Sequence, residues 1–329
     1  MTAEEITSFI AEASLAPSVH NVQPARWRIE IDGATLFEDS TRRLPAADPK
    51  GDDIAISLGA AVEGFRLAAS RAGYGLDIEL LDSLTVDRLR PVARLRLTTG
   101  TLVDALAAFV TTRASHRGAF TVADEAERSA ATALRSDDTA VLIKQSLLIE
   151  AGQQLGAASW TFMRDDKFRH ELLSWMRLSR RDPRWSRDGL NAEAMAMGSI
   201  AATAASFVLG PFFLPLARIG LAKPLLAEGS RVAKDTAVVL FHRPKGEARF
   251  VSGAHFYRLW LRIEEAGFGA AVLAALADNA QANTWACVAG NIPSDHRLIN
   301  AFRIGRRPAG QSILRARLPL NELLVSIVA

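Results

Sequence analysis

Apolar residues in this chain recur with two periods, and their alternation alone lays out the elements. Ile6, Phe9, Ile10 and Ala13 fall at i, i+3, i+4 and i+7, the stripe of an amphipathic helix. Thr2 and Glu5 form a capping box at its start, and Pro17 requires that it stop beforehand. Residues 27–31 alternate with the period of a strand, and Asp32-Gly33 supplies the hairpin turn into Thr35-Leu36-Phe37. A loop rich in Pro and Asp, 45–53, leads into a long alanine-rich helix for which Gly73 is the C-terminal cap. Residues 93–97 alternate as a further strand, and 102–112 reads as helix. In the second half Phe256, Leu259, Trp260 and Ile263 repeat the helical stripe, closed by Gly267, while 237–241 and 285–289 read as strands. Helices and short strands alternate without βαβ spacing, so the pattern predicts an α+β fold, an antiparallel or mixed sheet wrapped by helices.

One stretch fits neither period. Residues 194–217 carry no charge over a length that would cross a hydrocarbon core. Gly210-Pro211 and Pro215 interrupt the run and no second span accompanies it, which predicts two short pieces joined by a kink. A membrane-associated segment is the alternative.

Composition sets further limits. The chain has 329 residues, 49% of them hydrophobic, enough for a sizeable core in one large domain or two small ones. A net charge of +3, with basic residues spread among acidic ones, argues against a nucleic-acid partner, which calls for a clustered basic face. The single cysteine, Cys287, excludes an internal disulfide, and within a strand at 285–289 it would be a small buried hydrophobe. No secretory signal precedes the first helix, so a cytoplasmic location is expected. Asp48, Asp52 and Asp53 lie just before a helix, where acids favour the helix dipole, and are expected to cap it and not to hold a metal. Gly267-Phe268-Gly269 follows a helix and lacks the third glycine of a dinucleotide fingerprint.

Two segments concentrate arginine. Arg113-Ala114-Ser115-His116-Arg117 and Arg315-Ala316-Arg317-Leu318-Pro319 each space arginines two or four apart, so that in extended backbone the side chains point the same way and converge on one anion. Solvated surface charges are the alternative. A third segment, Ala16-Pro17-Ser18-Val19-His20-Asn21-Val22-Gln23-Pro24, follows the first helix. Its small Pro17 and Ser18 let backbone approach a flat ligand, and Asn21 offers both donor and acceptor; a simple helix-ending turn is the alternative.

Together the three segments resemble motifs of the nitroreductase family: R-x-S-x-R, basic-x-Arg-x-Pro and A-P-S-x-x-N-x-Q-P. The order here is reversed. In the family R-x-S-x-R comes first, the A-P-S element comes one helix later, and each flavin site takes one motif from each subunit of a homodimer. The resemblance therefore implies a nitroreductase-like fold of two fused degenerate halves, 1–105 and 106–329, each keeping the motif that the other lost. Residues 48–52 and Asp188-Gly189 further resemble a single-chain branch with a lid, here an insert at about 160–234; some of its members sequester flavin.

The resemblance implies one site for FMN. Pro17, Ser18, His20, Asn21 and Gln23 would line it from one half, and Arg113, Ser115, Arg117, Arg315 and Arg317 from the other. Arg117 would reach the N1/C2 region of the ring, and the 267–275 turn, at Ala274 and Ala275, would bring backbone N–H groups to N5. His20 occupies a variable position of the motif, so it reads as a packing or turn residue. After Pro24 the chain departs from the family, with Ala25-Arg26-Trp27 in place of an immediate Trp. The implied activity is NAD(P)H-dependent reduction of a nitroaromatic, quinone or related small-molecule electron acceptor through the bound flavin, which carries the chemistry without a catalytic side chain. Flavin storage is the alternative. An interface inside one chain leaves a monomer or a weak homo-oligomer.

Overall fold

The structure, a computed structural model, describes residues 2–82, 84–220, 229–310 and 315–325. Helix α1 (Ala3–Ala13) begins at the expected capping box, Thr2 N–H donating to Glu5 at 2.6 Å and Glu5 N–H to Thr2 at 3.2 Å, and buries Ile6, Phe9, Ile10 and Ala13. Strands β1 (Ala25–Ile29) and β2 (Gly33–Asp39) form the hairpin. Gly33 is obligatory there, because a Cβ would lie 2.0 Å from the Leu95 carbonyl. Helix α2 (Asp52–Arg71) comes next, then β3 (Tyr74–Leu80) and β4 (Leu89–Thr99), closing a four-stranded antiparallel sheet of order β1-β2-β4-β3.

The second part of the chain supplies β5 (Thr139–Leu142), then β6 (Met176–Arg177) and β7 (Leu190–Asn191), which pair parallel, and β8 (Ala237–Pro244), β9 (Gly269–Val272) and β10 (His296–Gly305). A second antiparallel sheet has the order β5-β8-β10-β9. Its helices include α3 (Gln145–Arg164), α4 (Asp166–Trp175), α5 (Ser199–Leu209), α6 (Phe213–Arg218), α7 (Arg249–Glu265) and α8 (Ala280–Ala289). The architecture is α+β, with two four-stranded antiparallel sheets and the short parallel pair β6-β7.

What joins the two parts is the crossing of α2 and α7. A Cβ on Gly59 would meet the Phe250 carbonyl at 1.8 Å, and one on Gly253 would meet the Ile56 carbonyl at 2.2 Å, so the two backbones touch where neither helix has a side chain. Arg258 of α7 then reaches Glu63 of α2 at 2.8 Å and Asp104 at 2.7 Å, while Arg66 bonds the same two carboxylates. One core surrounds α1, α2 and the first sheet and takes in Tyr257 and Leu261 of α7; another gathers Phe256, Trp260, Phe302 and the second sheet.

Three local features differ from what the pattern predicts. Residues 285–289 belong to helix α8, not to a strand, because Asn279 caps an alanine-rich run by accepting from Ala282 N–H at 3.1 Å. Cys287 is accordingly half-buried and Val288 is 77% exposed. Residues 102–112 contain only the 3-10 turn Ala105–Phe109, since Asp104 is held by Arg66 and Arg258 and caps that turn through Leu106 N–H. Strand β3 carries no clear pattern of its own, because apolar residues such as Ile78 and Leu80 are exposed and blur the alternation. Over 194–217 the chain forms α5 and α6 broken at Gly210-Pro211, and no described helix is long and apolar enough to cross a membrane.

Candidate functional site

The loop after α1 is held in an uncommon backbone conformation. His20, Asn21 and Gln23 have φ of 43°, 55° and 52°, in the left-handed region that non-glycine residues avoid at a cost of about 1–3 kcal/mol each. The surroundings fix it. Ser18 Oγ accepts from Gln23 N–H at 3.0 Å, Val19 N–H donates to Ser57 Oγ of α2 at 3.1 Å, and Asn21 Nδ2 donates to the carbonyls of Gly189 and Ala316, both at 3.1 Å. Gln23 is turned into the wall: its Nε2 donates to Arg187 O at 2.7 Å and its Oε1 accepts from Leu318 N–H at 2.9 Å. The motif's two amides thus fasten the loop to residues far away in sequence, and both Asn21 donors are used inside the protein.

The arginine segments close on this loop. Arg113 is 2% exposed; it donates to Leu15 O and stacks over Trp260, 4.7 Å from the ring centroid, and over Tyr257 at 5.5 Å. Arg315 donates to the carbonyls of Thr111 and Arg113, both at 2.6 Å, and Arg317 to Asn21 Oδ1 and Leu15 O, both at 3.0 Å. None of these three guanidinium groups has a carboxylate partner among the described residues, and each keeps an Nε that is sealed from solvent without an acceptor. Burial lowers all three below the ordinary arginine range, Arg317 to about 9, with Arg113 and Arg315 adding to the effect there. Ser115 bridges to Ala270, and the next residue, His116, donates its N–H to Ala270 O at 2.8 Å, which docks the segment on β9. The Arg117 carbonyl accepts from Arg231 at 3.1 Å and Arg303 at 3.4 Å, and its side chain lies 3.5 Å from Ala194 O.

One cavity of about 340 Å³ collects these groups. Pro17, Ser18, His20, Asn21, Arg113, Ser115, Arg117, Ala274, Ala275, Arg315 and Arg317 all line it; Gln23 does not. The size falls within the usual range of small-molecule sites. Burial, and then Arg117, pushes His20 down to about 4, and its Nδ1 is sealed without a partner, so the ring is neutral near pH 7. No short pattern marks several other wall residues: Phe162 and Phe168 from the insert, Asn191 and Ala194, Trp260, Asn300 and two acids, Asp53 and Asp278. Burial, and then Asp278, pushes Asp53 up to about 8. Of the three acids expected to cap α2, Asp48 does so, accepting from Ile54 N–H at 2.9 Å, and Asp52 pairs with Arg249 at 3.0 Å, but Asp53 faces the cavity. No metal-holding cluster occurs among the described residues.

No family model matches the chain. It is 38% identical over 79 residues to the protein named "Putative NAD(P)H nitroreductase acg" of Mycobacterium tuberculosis, 24% of each chain. A second protein of that organism, named "Putative NAD(P)H nitroreductase Rv3131", is 33% identical over 72 residues, 22% of this chain and 21% of the other. The matched stretches thus span less than a quarter of these relatives' length. Among solved structures, a nitroreductase with bound FMN from Bacteroides fragilis covers 69% of this chain and 100% of its own at 9% identity and a TM-score of 0.36. The FMN and NADPH-dependent nitroreductase NfnB from sphigopyxis sp. strain HMH covers 69% and 100% at 16% identity and a TM-score of 0.35. Scores of that size leave the structural likeness loose. By sequence the chain is nitroreductase-like, and its fold is α+β.

Proposed function

We propose that the cavity binds FMN between two halves of one chain, 1–105 and 106–329, and that the protein is an NAD(P)H-dependent oxidoreductase of the nitroreductase kind. The observation that carries this reading is the trio Arg113, Arg315 and Arg317, three cations at one cavity with shielded, unpartnered Nε atoms and no carboxylate beside them among the described residues. Buried charge of one sign is costly unless a ligand answers it, and a phosphate dianion answers guanidinium with charge-assisted bonds. The positive-φ loop gives a surface of backbone and small side chains, Pro17 and Ser18, suited to a flat ring, and Arg117 adds a cation. A bound flavin supplies the electron transfer; the protein contributes orientation, charge and exclusion of water. Nitroaromatics, quinones and related conjugated acceptors are the substrate class. Each motif occurs once, so one FMN per chain is expected, with no second subunit needed to complete the site.

Flavin storage is the second reading, favoured by Phe162, Phe168, Asn191 and Ala194, which the insert contributes to the cavity wall. Anaerobic titration of the FMN-loaded protein with NADPH and NADH separates the two. Rapid bleaching of the flavin band supports an oxidoreductase; bound flavin that neither nucleotide reduces supports storage; no retention of FMN defeats both.

A further inference from the structure

Residues 194–227 contain no Asp or Glu and two bases, Arg218 and Lys223. They stand within the insert at 160–234, which has twelve Lys and Arg against seven Asp and Glu, whereas the rest of the chain has 27 against 29. The basic excess of the molecule therefore lies in the insert. Helix α5, inside it, is apolar on both sides: Ala202 and Leu209 are buried, while Ile200 and Phe207, seven residues apart and so on one face, are 86% and 51% exposed. A helix apolar all round belongs against apolar matter on every side, and here one side has none. The next turns repeat the arrangement, with Phe213 of α6 buried and Phe212, Leu214 and Ile219 exposed.

This outer face is fixed from beneath. Arg169 of α4, itself buried, donates from Nε to Leu209 O at 3.2 Å and lies 3.9 Å from the ring centroid of Phe213, which pins the join of α5 and α6 to α4. Phe212 N–H donates to Phe207 O at 3.1 Å, and the two exposed rings lie 6.0 Å apart as one aromatic knuckle. Arg218, exposed in the last turn of α6, pairs with no carboxylate among the described residues. Single apolar residues scattered over a surface are ordinary; five gathered on two adjoining short helices, with no acid between them, mark an interaction face.

Charge decides what covers it. A second copy meeting this face isologously would set a basic rim against a basic rim. A bilayer with anionic headgroups takes aromatic and aliphatic side chains into its interface and answers Arg218 and Lys223 with phosphate. We infer that α5 and α6 form a membrane-docking face that lies in the interface of an anionic lipid bilayer without crossing it. Helix α4 holds this face through Arg169 and places Phe168 in the cavity wall, so docking sets the cavity one helix away from lipid. The entry of lipid-dissolved electron acceptors by this route rests on the proposed flavin site; the docking itself does not.

The test is co-flotation of the full chain with vesicles of phosphatidylcholine alone and of an equal mixture of phosphatidylcholine and phosphatidylglycerol, with FMN affinity and melting temperature measured alongside. The mixed vesicles should be bound about tenfold or more tightly than the neutral ones, with the advantage shrinking as salt is raised. Phe207→Ser/Phe212→Ser should weaken binding to the mixed vesicles by about tenfold or more, and Arg218→Gln/Lys223→Gln should cut the preference for them by about fivefold or more, with FMN affinity unchanged in both. Should the serine pair lower the melting temperature, the glutamine pair and the salt dependence still decide. Absence of binding to the mixed vesicles, or binding that both double variants leave intact, overturns the proposal. So does a dimer that the serine pair dissolves in a wild type that ignores vesicles, since the face then belongs to a second copy. Failure to bind FMN would sink the flavin reading alone, because vesicle binding by the FMN-free chain still decides the docking.

Discussion

At one end of the cavity Arg113, Arg315 and Arg317 are fixed by main-chain carbonyls of residues 15, 111 and 113; at the other, Asp53 and Asp278 lie within each other's field with no side-chain donor among the described residues to satisfy them. Elsewhere the same protein neutralises its buried arginines outright, pairing Arg303 with Asp235 at 2.6 Å and Arg177 with Asp188 at 2.7 Å. The contrast separates two uses of charge. A carboxylate partner completes an arginine and leaves nothing for a ligand, whereas carbonyl dipoles hold its geometry and leave its unit charge in place. The arginine trio is of the second kind.

The largest effect should come from the basic end. Arg317→Ala or Arg315→Ala removes charge-assisted bonds worth about 1.5–3 kcal/mol, lowering FMN affinity by roughly one to two orders of magnitude while riboflavin, which lacks the phosphate, is nearly unaffected. Equilibrium titration of both flavins reads this directly, and equal losses for the two would mean misfolding. Next is the joint that sets the spacing of the two ends. Gly59→Ala or Gly253→Ala forces α2 and α7 apart and should destabilise by roughly 1–3 kcal/mol, seen as a lower urea midpoint with FMN absent.

A smaller effect belongs to the acidic end. Asp53 titrates near 8 in the fold against an ordinary aspartate value near 3.8, so the folded state loses stability as pH rises between them. Asp53→Asn should therefore raise the melting temperature by a few degrees at pH 9 and leave it unchanged near pH 3.5; equal gains at both would show that charge is not the cause. The smallest is at His20, pushed down to about 4. The ring carries no charge near pH 7, so His20→Gln should change FMN binding there by less than about 0.5 kcal/mol. An imidazole resonance titrating near 6.5 would contradict the neutral assignment.

The difference between the two ends also explains what is legible in the sequence. Arg113, Ser115 and Arg117, or Arg315 and Arg317, sit within a few residues of one another, so local spacing is enough to suggest a shared ligand. Asp53, Phe162, Asp278 and Asn300 come from four distant places, and no short pattern connects them; only the packing of α2, α3 and the second sheet brings them to one cavity. Gln23 shows the opposite failure, a motif residue whose amide is consumed by Arg187 and Leu318 in the wall. For the fold, the helical stripes of α1 and α7 are legible because each repeats apolar residues at helical spacing. Residues 285–289 are not, because a run of alanine and valine suits either state until Asn279 caps it.

The bond from Arg317 to Leu15 O spans a sequence separation of 302 residues, and the Val325 N–H to Trp27 O contact closes another loop of similar length. Contacts so remote form late, because the entropy of closing them is met only when much of the rest is in place. During synthesis, which delivers the N-terminal part first, the loop bearing His20 and Asn21 must wait for nearly the whole chain before its last anchors, Ala316, Arg317 and Leu318, exist. The basic end is therefore a checkpoint on completeness: a ribosome-stalled or truncated product ending before Arg315 would carry both sheets and still be unable to present the trio of cations.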